Sequence, residues 1–176
     1  MRAFLTRKQA VSPCKTEAEL RKHRCAFTGH RPEKLHGQEG LVIAELRKAI
    51  EEAIQDGYTT FITGCSRGVD LWAADIVLEM RRHNKRLKLI CAIPFDSFAD
   101  TWPIDWQKHL ELVKKQADWI QVISKEYYAD VYQKRNIWMV TKAMRIIAVC
   151  NGKPSGTLNT VRFAEEQNVP VHMIQV

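Results

Sequence analysis

The sequence predicts an α/β fold in which helices cover both faces of a mainly parallel sheet. Apolar runs rich in Ile, Val and Ala alternate with amphipathic segments, which is the pattern of repeated βαβ crossovers. Several of these runs are nearly continuous, as in strands that are covered on both faces. Two of them, ending at Thr63 and Val149, lead through a glycine-containing turn into a predicted helix. At 176 residues the chain is long enough for one sizeable core.

The predicted elements begin near residue 16. Thr16, with Glu19 three residues on, forms a capping box that predicts a short helix, and Ser12-Pro13 interrupts the stretch before it. We interpret residues 1–22 as an extension and residues 23–176 as the domain. The first half of the domain is predicted as a strand at 23–28, a helix at 41–54 ended by Asp56-Gly57, a strand at 58–63, a helix from 67–70 to about 82, and a strand at 87–93 ended by Pro94-Phe95.

The second half of the domain continues the alternation. Its loop at 96–104 carries Phe98 and Trp102, which suit either stacking on a base or covering the core edge. Three tyrosines lead into a helix that is predicted to start near Lys134. The other elements are predicted as a helix at 105–117, a strand at 119–124, a strand at 144–149, a helix at 157–167 and a strand at 169–174.

The composition is that of a globular protein outside the membrane. Hydrophobic residues make up 45% of the chain and charged residues 27%, and no apolar run approaches the roughly 20 residues that cross a bilayer. The N-terminus has no continuous apolar core, so we expect no secretory signal. The five scattered cysteines indicate reduced thiols in a cytoplasmic protein and no metal site. Cys25, Cys91 and Cys150 lie in apolar runs, which favours buried structural thiols.

The net charge of +7 raises the question of nucleic-acid binding. The positions of the cations weaken that interpretation, because the larger cluster closes one predicted helix and opens the next strand. It should therefore lie at the edge of the sheet opposite the glycine turns, where a solvated basic face is the simpler explanation. The two clusters are Arg21, Lys22 and Arg24, and Arg81, Arg82, Lys85, Arg86 and Lys88.

The turn after Thr63 has the features of a phosphate-binding loop. A strand runs into Gly64, and a helix begins within a few residues, so its unpaired N–H groups would attract an anion. Gly64 and Gly68 allow close approach of the backbone or a positive φ. Arg67 could add a permanently charged donor. The alternative is a tight turn that binds nothing.

Further candidates follow other strands, and the carboxyl edge of an open α/β sheet is where ligands bind. Lys134 and Arg135 near a helix start are electrostatically unfavourable there, which suggests that they bind an anion. The full set of predicted ligand-binding residues is Thr28, Gly29, His30, Arg31, Gly64, Cys65, Ser66, Arg67, Gly68, Asp70, Pro94, Phe95, Arg135, Asn136, Gly156, Thr157, Asn159 and Thr160.

The sequence supplies no defensible catalytic set. Neither glycine turn carries the Gly-x-Gly-x-x-Gly dinucleotide signature or the Gly-Lys-Ser/Thr ending of a Walker loop, so no cofactor is assigned. His30 is the one histidine well placed for proton transfer. Asp70 needs no catalytic role, because an acidic side chain in the first turn of a helix is explained by its favourable interaction with the helix dipole.

Five ordered motifs resemble the YpsA-like proteins of the SLOG superfamily, which includes the DNA-processing protein DprA and the LOG phosphoribohydrolases. The resemblance covers roughly residues 23–176 and implies a Rossmann-like three-layer sandwich with a nucleotide-related pocket. The motifs are Phe27-Thr-Gly-His-Arg-Pro32, Thr63-Gly-Cys-Ser-Arg-Gly-Val-Asp70, Ile93-Pro-Phe95, Lys134-Arg-Asn-Ile-Trp-Met-Val140, and Ile147-Ala-Val-Cys-Asn-Gly152 leading to Gly156-Thr157.

The chain also departs from these families. LOG enzymes carry Gly-Gly-x-Gly-Thr-x-x-Glu, and the position of that glutamate is Thr160 here. Ser155 stands where YpsA-like proteins usually have another glycine. Met139-Val-Thr141 stands where they often have an aspartate. These differences favour binding over LOG-type catalysis.

The sequence therefore predicts a protein that binds a nucleotide or a nucleotide-derived ligand, as a sensor or regulator. One alternative is a nucleoside or nucleotide N-glycosidase or a ribosyl transferase. Another is a single-stranded DNA-binding protein similar to DprA, whose binding would weaken steeply with salt. The ligand, the pathway and self-association into a homo-oligomer stay open.

Overall fold

The computed structural model describes residues 15–176 and has the predicted α/β architecture. The predictions for Ser12-Pro13 and Cys14 lie outside the described residues. The strands are β1 (Arg24–Gly29), β2 (Thr60–Thr63), β3 (Lys88–Phe95), β4 (Trp119–Ser124), β5 (Arg145–Cys150) and β6 (Val171–Gln175). The helices are α1 (Glu17–Arg21), α2 (Glu39–Gln55), α3 (Val69–Arg81), α4 (Ile104–Gln116), α5 (Val131–Lys142) and α6 (Gly156–Glu166), with a short 3-10 helix at Pro32–Lys34.

The six strands form one sheet in the order β4-β3-β2-β1-β5-β6, and every pairing between them is parallel. The chain builds outward from β1 to β4 and then returns across the sheet to place β5 on the other side of β1. The direction of winding thus reverses between β1 and β5. Open α/β sheets have a crevice at such a point, outside the carboxyl ends of the two strands.

Two cores cover the two faces of the sheet, which confirms the three-layer, Rossmann-like sandwich. On one face α2, α3 and α4 pack over residues such as Cys25 and Phe27. On the other face α5 and α6 pack over Ala26 and its neighbours. Because successive side chains of a strand point to opposite faces, a strand buried on both faces must be apolar throughout. This explains the continuous apolar runs in the sequence.

Most element bounds lie within two residues of the prediction, and two of the differences, in β3 and α5, have a clear physical cause. The strand β3 continues through Pro94 to Phe95, because β2 has already ended and β3 pairs only with β4 beyond Cys91, so the missing proline N–H is not needed there. The helix α5 begins at Val131, three residues before the predicted start, after Asp130 takes a left-handed conformation with φ 68°. Arg135 therefore lies in the second turn of its helix.

The amino end of the described chain is tied to the domain. The predicted capping box of α1 is present, since Thr16 and Glu19 exchange hydrogen bonds. Glu17 pairs with Arg24 at 2.6 Å and with Lys142 at 3.0 Å. Within residues 15–176, none of the helices is long and apolar enough to cross a membrane.

Candidate functional site

A pocket of about 270 Å³ lies at the switch point between β1 and β5. The loops after both strands, the start of α3 and the inner face of α5 enclose it. The sheet therefore places the cavity where its topology predicts a ligand crevice. The lining residues are Phe27, Thr28, Gly29, His30, Arg31, Lys34, Ser66, Asp70, Tyr132, Arg135, Asn136, Met139, Ser155, Gly156 and Thr157.

Two glycines let the phosphate-type loop pack against the end of β1. A Cβ on Gly29 would lie 2.7 Å from a methyl group of Val69, the first residue of α3. Gly68 has φ +87°, and a Cβ there would lie 3.0 Å from the carbonyl oxygen of His30. Only glycine suits a positive φ beside so close a neighbour. The close approach brings Ser66 and Asp70 into the pocket.

Asp70 presents an unpartnered oxygen in this pocket. The residue is 5% exposed. Its Oδ2 accepts a hydrogen bond of 3.2 Å from the Ser66 backbone N–H, while Oδ1 is buried and has no hydrogen-bond partner among the described residues. Burial raises the pKa of Asp70, and the positive charge of Arg135 opposes that increase. A buried carboxylate oxygen without a donor is costly, so this oxygen is an available hydrogen-bond acceptor in the pocket.

Arg135 is the buried cation of the site. It is 6% exposed and reaches across from α5 to donate to the carbonyl oxygen of Gly64. Its Nε donates to Asn136 Oδ1 at 2.8 Å and its Nη2 to Ser66 Oγ at 3.5 Å. Burial lowers the pKa of Arg135, and Asp70 opposes that effect. The guanidinium stays charged in proteins, and these contacts leave some of its N–H donors unused.

His30 joins the two strands that border the pocket. The residue is 2% exposed, and its Nε2 lies 3.0 Å from Asn151 Oδ1 in the loop after β5. Burial lowers the pKa of His30, Asn151 opposes this, and Lys34 adds to it. A neutral imidazole at pH 7 follows. The Asn151 backbone N–H donates to the same Nε2 at 3.2 Å, so both the side chain and the backbone of Asn151 contact the ring, and these contacts hold the loops after β1 and β5 together.

The start of α6 and two rim cations favour an anion. Ser155 caps the helix by accepting a 3.2 Å hydrogen bond from the Leu158 N–H. Gly156 and Thr157 line the pocket with first-turn N–H groups that have no partner within the helix. Arg31 and Lys34 are exposed at the rim, and neither forms an ion pair with another residue in 15–176. With Arg135, these cations outnumber the single carboxylate of the lining.

The structure brings most of the predicted residues together but turns some away from the cavity. Arg67 pairs with Glu33 at 2.7 Å and lies over the Trp102 ring at 6.0 Å. Thr160 uses its hydroxyl within α6, donating to Gly156 at 2.9 Å. Gly64, Cys65 and Gly68 belong to the loop after β2 but are not among the lining residues. Pro94, Phe95 and Asn159 also lie outside it.

Five of the lining residues are not among those predicted from the sequence: Phe27, Lys34, Tyr132, Met139 and Ser155. Two of them could have been predicted from helical periodicity. Tyr132 and Met139 share a helix face with Arg135 and Asn136, at spacings of three, four and seven residues. Ser155 precedes Gly156-Thr157 as a typical N-cap residue. Among residues 15–176, no three His, Cys, Asp or Glu side chains are grouped as metal ligands.

The comparisons with known proteins agree with the fold. The YpsA family model, described as the YspA SLOG family, matches residues 25–176. A UPF0398 protein of Bacillus cereus strain G9842 is 27% identical over 140 residues, which cover 75% of this chain and 76% of that protein.

Two solved structures of DNA processing protein A (DprA) are similar in fold. The Streptococcus pneumoniae protein has a TM-score of 0.58 and 18% identity, over 89% of this chain and 52% of that one. The Helicobacter pylori protein, described with its single-stranded DNA binding mode, has a TM-score of 0.60 and 18% identity, over 89% of this chain and 66% of that one. The chain thus spans about half of the first protein and under two thirds of the second.

Proposed function

The chain belongs to the YspA SLOG family, and on that premise we propose that it binds a nucleotide or a nucleotide-derived ligand at the carboxyl edge of its sheet. The observation that carries the proposal is the unpartnered Oδ1 of Asp70, buried in a pocket whose other charged groups are all cations. A ligand that satisfies both features has an anionic group and a hydrogen-bond donor close together. A ribose phosphate has that combination.

The phosphate end of the ligand belongs at the start of α6. The N–H groups of Gly156 and Thr157 and the positive end of the helix favour an anion there. Arg31 and Lys34 are exposed cations at the rim of the pocket, where they would pair with a phosphate. The ribose end belongs near Asp70, where a sugar hydroxyl would donate to Oδ1.

The size of the pocket favours a small ligand. Its volume of about 270 Å³ is near the lower end of the range for small-molecule sites, roughly 300–1,000 Å³. A dinucleotide would extend beyond it. We therefore expect mononucleotides and ribose phosphates to bind before dinucleotides.

Isothermal titration calorimetry against nucleosides, nucleoside monophosphates, ADP-ribose and dinucleotides tests the proposal. We expect a phosphorylated ligand to bind, and the matching nucleoside without phosphate to bind at least about tenfold more weakly, because it lacks the charge-assisted contacts. The variant Arg31→Gln should lose affinity, whereas Lys125→Gln, which removes an exposed charge outside the pocket, should not. If no phosphorylated compound of the panel binds the folded protein, the proposal fails.

A second candidate function is cleavage of an N-glycosidic bond, favoured by the raised pKa of the buried Asp70 carboxyl. A protonated Asp70 could deliver its proton to the base nitrogen as the bond from C1′ to that nitrogen breaks, and water that adds to C1′ would then return a proton to the Asp70 carboxylate. Release of free base from nucleoside monophosphates, followed by chromatography, tests this function. Release that Asp70→Asn abolishes without abolishing binding would support it, and no release from any ligand that binds would exclude it.

A further inference from the structure

A second cleft lies at the amino edge of the sheet, at the other end of the strands from the nucleotide pocket. It encloses about 360 Å³ between the ends of α3 and α4 and the start of β3. Its lining is dominated by cations: Arg81, Arg82, Lys85 and Lys88, with Leu78, Gln116 and Asp118. Four of the five cations of the larger basic cluster therefore line this cleft, and the fifth, Arg86, lies in the loop after α3.

Asp118 holds two of these cations in place. Its carboxylate pairs with Arg81 at 2.8 Å and with Lys88 at 3.0 Å, and it accepts the Leu89 N–H at 2.9 Å. Arg81 also donates to the carbonyl oxygen of Gln116 at 2.8 Å. Burial alone would raise the pKa of Asp118, but the Leu89 N–H and Lys88 lower it further than burial raises it. The single carboxylate of the cleft therefore stays ionised and preorganises Arg81 and Lys88.

Four neighbouring cations have no such partner. Arg82, Lys85 and Arg86 are exposed and form no ion pair within the described part of the chain, and neither does Lys115, beside Gln116. The helix dipole accounts for cations in the last turn of a helix. It does not account for Lys85 and Arg86, which lie in the loop beyond α3. Their clustering works against the fold through repulsion between like charges.

We propose that this amino-edge cleft binds the phosphodiester backbone of a nucleic acid. Cations contributed by the end of α3, the loop after it and the start of β3 suit a polymer that offers a row of phosphates better than a single small anion. An acidic protein partner fits less well, because Leu78 is the one apolar residue of the lining and protein interfaces depend on buried apolar anchors. The inference concerns another edge of the sheet and does not depend on the nucleotide pocket.

Fluorescence anisotropy with labelled oligonucleotides, measured over a range of salt concentrations, tests this proposal on the full chain. The variant pair Arg82→Gln/Lys85→Gln removes two cleft charges, and the control pair Lys125→Gln/Arg162→Gln removes two exposed, unpaired charges elsewhere. Wild-type binding should weaken with salt. In the cleft variant, the slope of log affinity against log salt should fall by about 1.4 for a single strand or about 1.8 for a duplex, and it should not change in the control.

The possible results of this experiment either support nucleic-acid binding at the cleft or overturn it. Comparing single-stranded with duplex DNA identifies which form the cleft takes, and tight, salt-dependent binding of either form supports the inference. Equal losses in both variant pairs, or no loss in either, would overturn it. Binding of a poly-glutamate peptide as tightly as the oligonucleotides would also overturn it. So would a loss of oligonucleotide affinity only in the variant Arg31→Gln/Lys34→Gln, because the nucleic acid would then bind at the pocket. Equal melting temperatures of all variants would show that they fold.

Discussion

At the scale of single residues, Gly64 separates the two buried charges of the pocket. A Cβ at this position would lie 2.7 Å from Asp70 Oδ2 and 2.7 Å from the Arg135 guanidinium carbon. The side chains of Asp70 and Arg135 therefore both pack against the backbone of Gly64. They form no ion pair with each other within 4 Å. Glycine is required here by close approach and not by φ.

We expect Gly64→Ala to destabilise the protein by about 1–3 kcal/mol, because the added methyl group forces one buried charged side chain to move. Ligand affinity should fall with it. The control is Gly40→Ala near the start of α2, where nothing lies within 4 Å of the added Cβ. It should be neutral or stabilising by up to about 1 kcal/mol. Urea denaturation measures both, and equal effects would contradict this account of the site.

Asp70 should make stability depend on pH. Burial raises its pKa in the folded protein, whereas the unfolded chain has an ordinary value of about 3.9. The folded state thus favours the protonated form, so the stability that Asp70 contributes is complete below the unfolded pKa and is lost as pH rises through the folded pKa. The free energy of unfolding of the wild type should therefore fall relative to Asp70→Asn as pH rises above about 4, the ordinary pKa of the unfolded chain.

Urea denaturation of both proteins across that pH range measures the difference. The other carboxyl groups are common to both proteins and cancel in the comparison. A difference that grows in the opposite direction would mean that the attraction of Arg135 outweighs the cost of burial. Parallel curves would mean that the pKa of Asp70 is unchanged by folding.

The sequence predicts which residues lie at the carboxyl edge of the sheet, because that depends on the order of strands and helices. It predicts less well which neighbours a side chain contacts there. Asp70 and Arg135 were placed near the ligand edge because they follow strands or begin helices there. Arg67 has the same local context as Asp70, but Glu33 and Trp102 hold its side chain. Those partners come from two other segments, after β1 and after β3, so spacing along the sequence could not reveal them.

At the scale of elements, the N-terminus of α6 is the phosphate end of the proposed site. Ser155 both caps this helix and lines the pocket. We expect Ser155→Ala to lower stability by about 1 kcal/mol, because the Leu158 N–H loses its acceptor. Ser155→Asp should keep the cap and the stability, since an acidic side chain also favours the helix dipole.

The two variants should differ in ligand binding. The carboxylate of Ser155→Asp would repel a phosphate, so affinity for the phosphorylated ligand should fall even though the protein is as stable as the wild type. Thermal melting and calorimetry on the same samples separate the two effects. If Ser155→Asp binds as well as the wild type, the phosphate does not lie at the start of α6.

The types of the elements were predictable from their periodicity, and their ends only in part. The run Trp119–Ser124 was predicted with the bounds that the structure shows, because turn residues border it. The start of α5 was missed, since Asp130 adopts a left-handed conformation that no local pattern required. Tyr132 therefore joins the helix and faces the pocket.

At the scale of the whole molecule, the order of the strands decides where the site lies. The alternation of strands and helices predicted a parallel sheet covered on both faces, and all six strands are parallel. The alternation does not encode that β5 pairs with β1, because a βαβ unit can add its strand at either edge. The loops after β1 and β5 become neighbours only through that choice. His30 and Asn151, 121 positions apart, are in contact for this reason.

The four cysteines of the described chain report on the stability of the whole molecule. Cys25, Cys65, Cys91 and Cys150 are all buried. Burial raises the pKa of Cys25 to about 12, and contact with Cys91 together with burial raises that of Cys65.

In a Cys14→Ser variant, a thiol reagent should therefore label these residues only through unfolding, and fully in denaturant. A nucleotide that binds the native pocket should slow labelling by a factor of one plus the free ligand concentration divided by Kd. A thiol that reacts rapidly in the native variant would contradict the buried core, and labelling that a bound nucleotide does not slow would mean that the core opens without releasing the ligand.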